Sequence, residues 1–165
     1  FPLEQSVLIH KKRNGEFILS DWHEQLYTYN PYSKQITDSM TFANPKGLES
    51  GIYDFLIDKN EVIWGVTWPY QKNDEFVYVV RGKQGEKLAR VDKIKSNGFP
   101  AIIEHVDKIY YSSNSTIKAY NIDGRFYKYY NLKDGDLRVL VDEFTSDANG
   151  TLWIKSFAKF FLQRK

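Results

Sequence analysis

Two stretches of the chain read alike: DKNEVIWGVT at Asp58–Thr67 and DANGTLWIKS at Asp147–Ser156. Each opens on Asp, passes through a short polar turn containing Asn, and runs through apolar residues around a Trp. Each closes on a hydroxyl. Asn60 and Asn149 stand 89 residues apart. If that distance is two periods of a repeat, weaker copies belong midway and one period upstream. Midway lies HVDKIYYSS, with Val106 at the Asn position and Asp107 in the turn. Upstream lies RNGEFILSD, with Asn14-Gly15 followed by Phe17, Ile18 and Leu19. The anchors 14, 60, 106 and 149 are separated by steps of 46, 46 and 43 residues.

The four units share one internal order. An apolar stretch comes first: SVLIHKK, GIYDFLID, FPAIIEH and LRVLVDEF. A tight turn follows, written as Asn14-Gly15 and Asn149-Gly150, a strong short-range hairpin signal. A second strand (EFILS, VIWGVT, KIYYSS, TLWIKS) leads through a polar connection to a third (QLYTYN, EFVYVV, TIKAYN, KFFLQ). Units one to three then add a fourth: QITDSM, KLARVDKI and FYKYYNL. No helical period is sustained over 11 residues anywhere in the sequence. Four antiparallel strands in about 40–45 residues describe the blade of a β-propeller. The expected fold is therefore all-β, one propeller segment over residues 1–165, with blades near 6–42, 51–95, 100–132 and 137–165.

The last unit reaches only a third strand, and the chain opens on a first strand. A ring closes by joining its first and last blades, which removes the exposed edge. The expectation is a segment of a larger propeller. A four-bladed ring, or two half-rings joined as a dimer, are the alternatives.

Composition narrows the function. With 42% hydrophobic and 27% charged residues, the chain is globular rather than disordered. Its 12 Tyr, 11 Phe and 4 Trp favour strands. A net charge of +2, with basic residues scattered among acidic ones, gives no footprint for nucleic acid. The absence of Cys excludes a disulfide framework, thiolate metal sites and a Cys nucleophile. No apolar run spans a bilayer, and FPLEQSVLIHKK does not read as a signal peptide.

Catalytic and metal signals are thin. His10, His23 and His105 fall in different units with no ligand spacing, so neither a metal nor a cofactor is expected. KDGDLR at Lys133–Arg138 resembles the start of a calcium loop, lacks its later ligands and reads as a turn. Asp54, Asp58, Glu104, Asp142 and Glu143 are the acids on first strands, and Asp58 is explained by turn formation. Neighbours along a strand point to opposite faces, so Asp142-Glu143 is no acid/base couple by itself. There is no phosphate loop and no serine elbow. The reading is non-catalytic. Trp64 and Trp153, at the repeated position, read as packing between blades.

The surface carries what remains. Second-to-third-strand connections lie on one end of a propeller. Here they are SDWHEQ, TWPYQKNDE, SSNST and SFAK. The longest carries Trp68 and Tyr70, and the first carries Trp22 and His23. Loop aromatics serve as stacking platforms for sugars or partner surfaces, or they cover neighbouring blades. Trp22, His23, Trp68 and Tyr70 are the candidate ligand-binding residues.

DANGTLWIKS, DKNEVIWGVT and the fuller GLESGIYDFLIDKNEVIWGVT also resemble the two-component-regulator propeller repeat: Asp, a Gly-containing turn, an apolar residue, Trp and an Ile-Gly-Thr-like ending. Units one and three depart from it, with Ile18 and Tyr110 at the Trp position, and unit four ends in Lys155-Ser156. The resemblance implies the sensor domain of a bacterial hybrid two-component receptor, periplasmic or on the outer side of the inner membrane, within a larger protein. It implies carbohydrate-related sensing, with an oligosaccharide as ligand and the remaining blades or a second copy as partner. A carbohydrate-active enzyme (hydrolase or lyase) on the same scaffold, or a protein–protein interaction propeller, are the alternatives.

Overall fold

The computed structural model describes residues 8–20, 25–41, 51–67, 76–95, 100–113, 115–134, 137–138, 140–156 and 160–163. Among them there is no helix, and so none long and apolar enough to cross a membrane. Every strand expected from the repeat is present, and the chain divides into two compact units, Phe1–Lys93 and Ile94–Lys165.

The first unit holds two four-stranded antiparallel sheets in simple up-and-down order. One is β1 (Leu8–Lys11), β2 (Phe17–Ser20), β3 (Gln25–Asn30) and β4 (Gln35–Thr41). The other is β5 (Ile52–Ile57), β6 (Val62–Thr67), β7 (Phe76–Lys83) and β8 (Ala89–Lys95). The second unit holds β9 (Ala101–His105), β10 (Lys108–Ser113), β11 (Thr116–Asn121) and β12 (Phe126–Asn131) as a third sheet of the same order. A small hairpin follows, β13 (Lys133–Asp134) and β14 (Leu137–Arg138). The fourth sheet is β15 (Val141–Ser146), β16 (Leu152–Ser156) and β17 (Phe160–Gln163). The two ends of KDGDLR, Lys133-Asp134 and Leu137-Arg138, are the paired strands β13 and β14, and Gly135 and Asp136 lie outside the described residues. Leu137-Arg138, read from the sequence as the start of a first strand, belongs to that hairpin instead.

The repeat extends below the level of whole strands. A bulge interrupts β5–β6 between Ile52 and Asp54, and another interrupts β15–β16 between Val141 and Glu143, at equivalent distances from their turns. Blades one and three both carry a bulge between third and fourth strands. Within each unit the first strands are neighbours, β1 beside β5 and β9 beside β15. Each unit has its own core between its two sheets. Ile18, Leu26, Phe55, Ile63 and Val80 meet in the first. Tyr110, Ile117, Phe144, Leu152 and Ile154 meet in the second. Close approach explains Gly65: a Cβ there would stand 3.2 Å from Val80 Cγ2 and 3.4 Å from Ile52 Cδ1.

The tight turns expected at Asn14-Gly15 and Asn149-Gly150 are present and share one geometry. In each, the carbonyl three positions before the Gly accepts from the Gly N–H: Lys12 O from Gly15 N at 3.1 Å, Asp147 O from Gly150 N at 3.1 Å. Only the Gly is left-handed, at φ +90° and +73°. This is a type I turn followed by a left-handed bulge residue. Blade two repeats it with Glu61 at φ 59°.

A two-residue turn with both residues left-handed joins β9 to β10 in blade three. His105 pairs with Lys108, and Val106 and Asp107 both sit at positive φ, 45° and 60°. Left-handed geometry costs an L-residue roughly 1–2 kcal/mol, and a β-branched side chain is the least suited to it. Val106 is 57% exposed, so it recovers little by packing. Val106→Asn, which tolerates this conformation, is expected to stabilise the protein by about 1 kcal/mol in equilibrium denaturation.

Candidate functional site

The repeated Asp and Trp are a bonded pair. In blade two, Asp58 Oδ1 accepts from the N–H of Asn60 at 2.8 Å and of Val62 at 3.0 Å. Its Oδ2 accepts from Trp64 Nε1 at 2.9 Å. Blade four repeats the arrangement: Asp147 Oδ1 accepts from Asn149 N and Thr151 N, both at 2.9 Å, and Oδ2 from Trp153 Nε1 at 3.0 Å. The Thr151 N–H, then the indole, hold the Asp147 carboxyl below the usual carboxylate range. The sequence showed the two partners but not the bond. The signal was their fixed six-residue separation, which spans the turn.

Blade one has Lys12 and Ile18 at these positions and closes the hairpin ionically. Lys12 Nζ lies 3.0 Å from Glu16 Oε2 and also donates to Gln84 Oε1 of blade two. Asn14 Oδ1 accepts from Glu16 N at 3.1 Å.

The two indoles differ in burial. Trp64 is fully buried, with the Arg81 guanidinium 5.1 Å from its ring centre. Trp153 is only half-buried. It lies opposite Thr145 on β15, one step from the buried Leu152 and Ile154, so its ring faces away from the core those two enter. Trp64 is thus core, as its repeated position suggests, while Trp153 is only partly buried where core packing was expected.

The remaining candidate acids are committed to local bonds. Asp54 Oδ1 accepts from Phe55 N at 2.9 Å. Asp142 and Glu143 flank Lys155, at 3.6 Å and 3.1 Å. Glu104 sits in β9 opposite Ile109. Among the described residues no group of three or more His, Asp or Glu is arranged to hold a metal. His105 meets Tyr110 edge-on at 6.1 Å.

The candidate ligand-binding residues Trp22, His23, Trp68 and Tyr70 lie outside the described residues. What is described is where their connections spring from: β2 to β3 and β6 to β7, at the ends of strands opposite the Asp-centred turns. Hydroxyls concentrate there. Ser20, Thr67, Ser112 and Ser113 are all at most 1% exposed. Thr67 Oγ1 accepts from Tyr78 N at 3.0 Å, tying the root of the longest connection to β7.

No family profile and no curated protein sequence matches the chain. Solved structures do. The extracellular domain of a hybrid two-component system of B. thetaiotaomicron superposes with TM-score 0.74 and 9% identity, over 100% of this chain and 22% of that one. Virginiamycin B lyase from Staphylococcus aureus gives 0.64 and 15%, over 93% and 50%. PorZ, a bacterial surface component of the type-IX secretion system of Porphyromonas gingivalis, gives 0.70 and 12%, over 96% and 25%. The chain thus spans about a fifth to a half of the length of these structures.

Two measurements probe this geometry. Trp64→Ala should cost about 3–5 kcal/mol, the usual loss for an emptied aromatic core site, and Trp153→Ala clearly less, about 1–2 kcal/mol, in urea denaturation. His10, half-buried with its ring 6.0 Å from Phe55, has its pKa lowered by burial. The unfolded chain then binds the proton more readily. The stability His10 contributes is full above its unfolded pKa and is lost as pH falls through the lower folded value. His10→Gln should flatten the dependence of melting temperature on pH between about 7.5 and 5, the range around an imidazole's ordinary value.

What the repeat builds, from its strand order to its bulges and its Asp-centred turns, is the β-propeller blade, and this chain carries the fold of propeller-type domains.

Proposed function

We propose that the chain is a segment of the propeller of a bacterial extracytoplasmic sensor, non-catalytic and carbohydrate-related. The observation that carries the reading is the match of its whole length to the extracellular domain of a hybrid two-component system. The Asp-turn-Trp repeat of blades two and four supports it from the sequence side. On this reading the protein acts outside the cytoplasm as part of a larger receptor, and its ligand is an oligosaccharide. The connections bearing Trp22, His23, Trp68 and Tyr70 meet that ligand. Aromatic rings suit a pyranose because C–H faces pack on the ring while hydroxyls reach neighbouring polar groups.

A second reading, a lyase on the same scaffold, is favoured by the likeness to virginiamycin B lyase. Against it stand the bonds of the first-strand acids. Asp58 spends both carboxylate oxygens on its own hairpin, and Asp142 and Glu143 face a lysine. A reaction on this scaffold needs an acid and a base free to exchange protons.

Titration calorimetry against a panel of oligosaccharides, with the Trp68→Ala/Tyr70→Ala double variant beside the parent chain, tests the sensor reading. Binding by the parent and its loss in the variant, with stability changed by less than about 1 kcal/mol, is the expected result. A large stability loss with binding intact assigns both rings to packing. Turnover of a streptogramin by the parent chain replaces the sensor reading with the lyase one.

A further inference from the structure

Three of the four blades place an asparagine at the same point of the first turn, in three chemical settings. Asn14 and Asn149 each precede a left-handed glycine, Gly15 and Gly150. Asn60 precedes Glu61, which takes the same left-handed position at φ 59°. An Asn-Gly pair carries its own reaction. The glycine amide nitrogen attacks the Asn carboxamide carbon and ammonia leaves. Water then opens the resulting five-membered succinimide to isoaspartate or aspartate. Glycine permits the closure because it has no Cβ to obstruct the approach. The nucleophile is held alike in the two pairs: Gly15 N donates to Lys12 O and Gly150 N to Asp147 O, both at 3.1 Å. The electrophile is not. The Asn14 carboxamide is tied at both ends to Glu16: Oδ1 accepts from Glu16 N at 3.1 Å, and Nδ2 donates to Glu16 Oε2 at 2.8 Å. Lys12 anchors that carboxylate in turn, at 3.0 Å. In blade four the residue equivalent to Glu16 is Thr151, and its N–H is already taken by Asp147 Oδ1 at 2.9 Å. The carboxylate that fixes the turn thus removes the backbone donor that holds Asn14 in blade one. The Asn149 side chain is exposed, and no described residue bonds its carboxamide.

We propose that Asn149 is a self-modification site, which the folded protein converts to isoaspartate and aspartate while Asn14 and Asn60 persist. Asn14 is protected by its bonds to Glu16, and Asn60 by the side chain of Glu61, which crowds the attacking nitrogen. The product acts on the blade that carries it. Isoaspartate routes the main chain through the former side chain and adds one methylene between position 149 and Gly150. That link lies inside the rings closed by Gly150 N with Asp147 O and by Thr151 N with Asp147 Oδ1. Lengthening it displaces both donors, and with them the carboxylate that Trp153 Nε1 meets at 3.0 Å. Either product also sets a new negative charge two residues from Asp147, and like charges that close repel. The contact that sets the register of β15 on β16 is thereby weakened in one blade alone. This site is independent of the sensor reading and stands or falls separately from it.

Incubation of the 165-residue chain in mildly alkaline buffer, followed by tryptic peptide mapping, tests the proposal. Cleavage after Arg13 and Arg138 puts Asn14 and Asn149 on separate peptides, and Asn97-Gly98, which lies outside the described residues, falls on a third. Asn149 should convert faster than Asn14 by about tenfold or more, because two bonds to Glu16, one of them to its charged carboxylate, must break before Asn14 reacts. In guanidinium chloride the two should convert at similar rates, which assigns the difference to the folded turns. Glu16→Thr copies the residue of blade four and should speed Asn14 several-fold while leaving Asn149 unchanged. The incubated protein should lose melting temperature as isoaspartate accumulates at 149. Asn149→Gln, whose longer side chain closes a ring far more slowly, should keep its melting temperature through the same incubation. Equal rates at Asn14 and Asn149 in the folded chain overturn the proposal. So does an unchanged Asn14 rate in Glu16→Thr, a faster loss at Asn60 than at Asn149, or isoaspartate at 149 that leaves the melting temperature where it was.

Discussion

One carboxylate organises each well-formed blade. Asp58 is 2% exposed, and burying an ionised carboxylate is strongly unfavourable unless its oxygens are met by donors. Three donors meet it: two backbone N–H groups from its own turn and the indole N–H across the hairpin. The same three bonds fix three separate things. They hold the turn in one conformation, set the register of first strand on second, and orient the largest side chain of the blade. A sheet whose strands alternate faces cannot tolerate a register slip, so everything that packs downstream depends on this contact.

The molecule shows how far that constraint can be met by other means. Blade four keeps the full set of bonds although its Trp153 is only half-buried, so the Asp–indole bond does not require a buried ring. Blade one replaces the pair with Lys12 and Glu16, which bridge the same turn from opposite charges. Blade three discards the bulged turn and closes in two residues, accepting left-handed backbone at Val106 and Asp107. Each solution delivers the second strand to the same place. There its apolar residues enter the core shared with the neighbouring sheet: Ile18 and Ile63 in one unit, Leu152 and Ile154 in the other.

The fold was legible because it is written several times. Period, strand order and blade class followed from pattern alone, since a two-residue alternation and a turn signal recur at each anchor. Three things did not follow. The turn type at Asn14-Gly15 and Asn149-Gly150 escaped because the same dipeptide serves a two-residue turn or a longer one with a bulge, and the strand register decides between them. The exposure of Trp153 escaped because sequence position states which strand a residue is on, while burial depends on what covers that face. Leu137-Arg138 was assigned to the wrong element because an apolar run interrupted by one basic residue fits a hairpin as well as a long strand. The candidate acids were legible as a set but not in their roles. Only the bonds of Asp54, Asp58, Asp142 and Glu143 show them committed to local structure.

The bonds of Asp58 reach no further than six residues along the chain, and so do those of Asp147. A hairpin closed by such short-range contacts carries its own instructions wherever its coding segment is placed. It can be duplicated in tandem without first acquiring a matching surface elsewhere, and one copy can drift in sequence while the others keep the architecture intact. The first and third repeats show the tolerance this permits: without the Asp–Trp pair they keep the same strand order as the second.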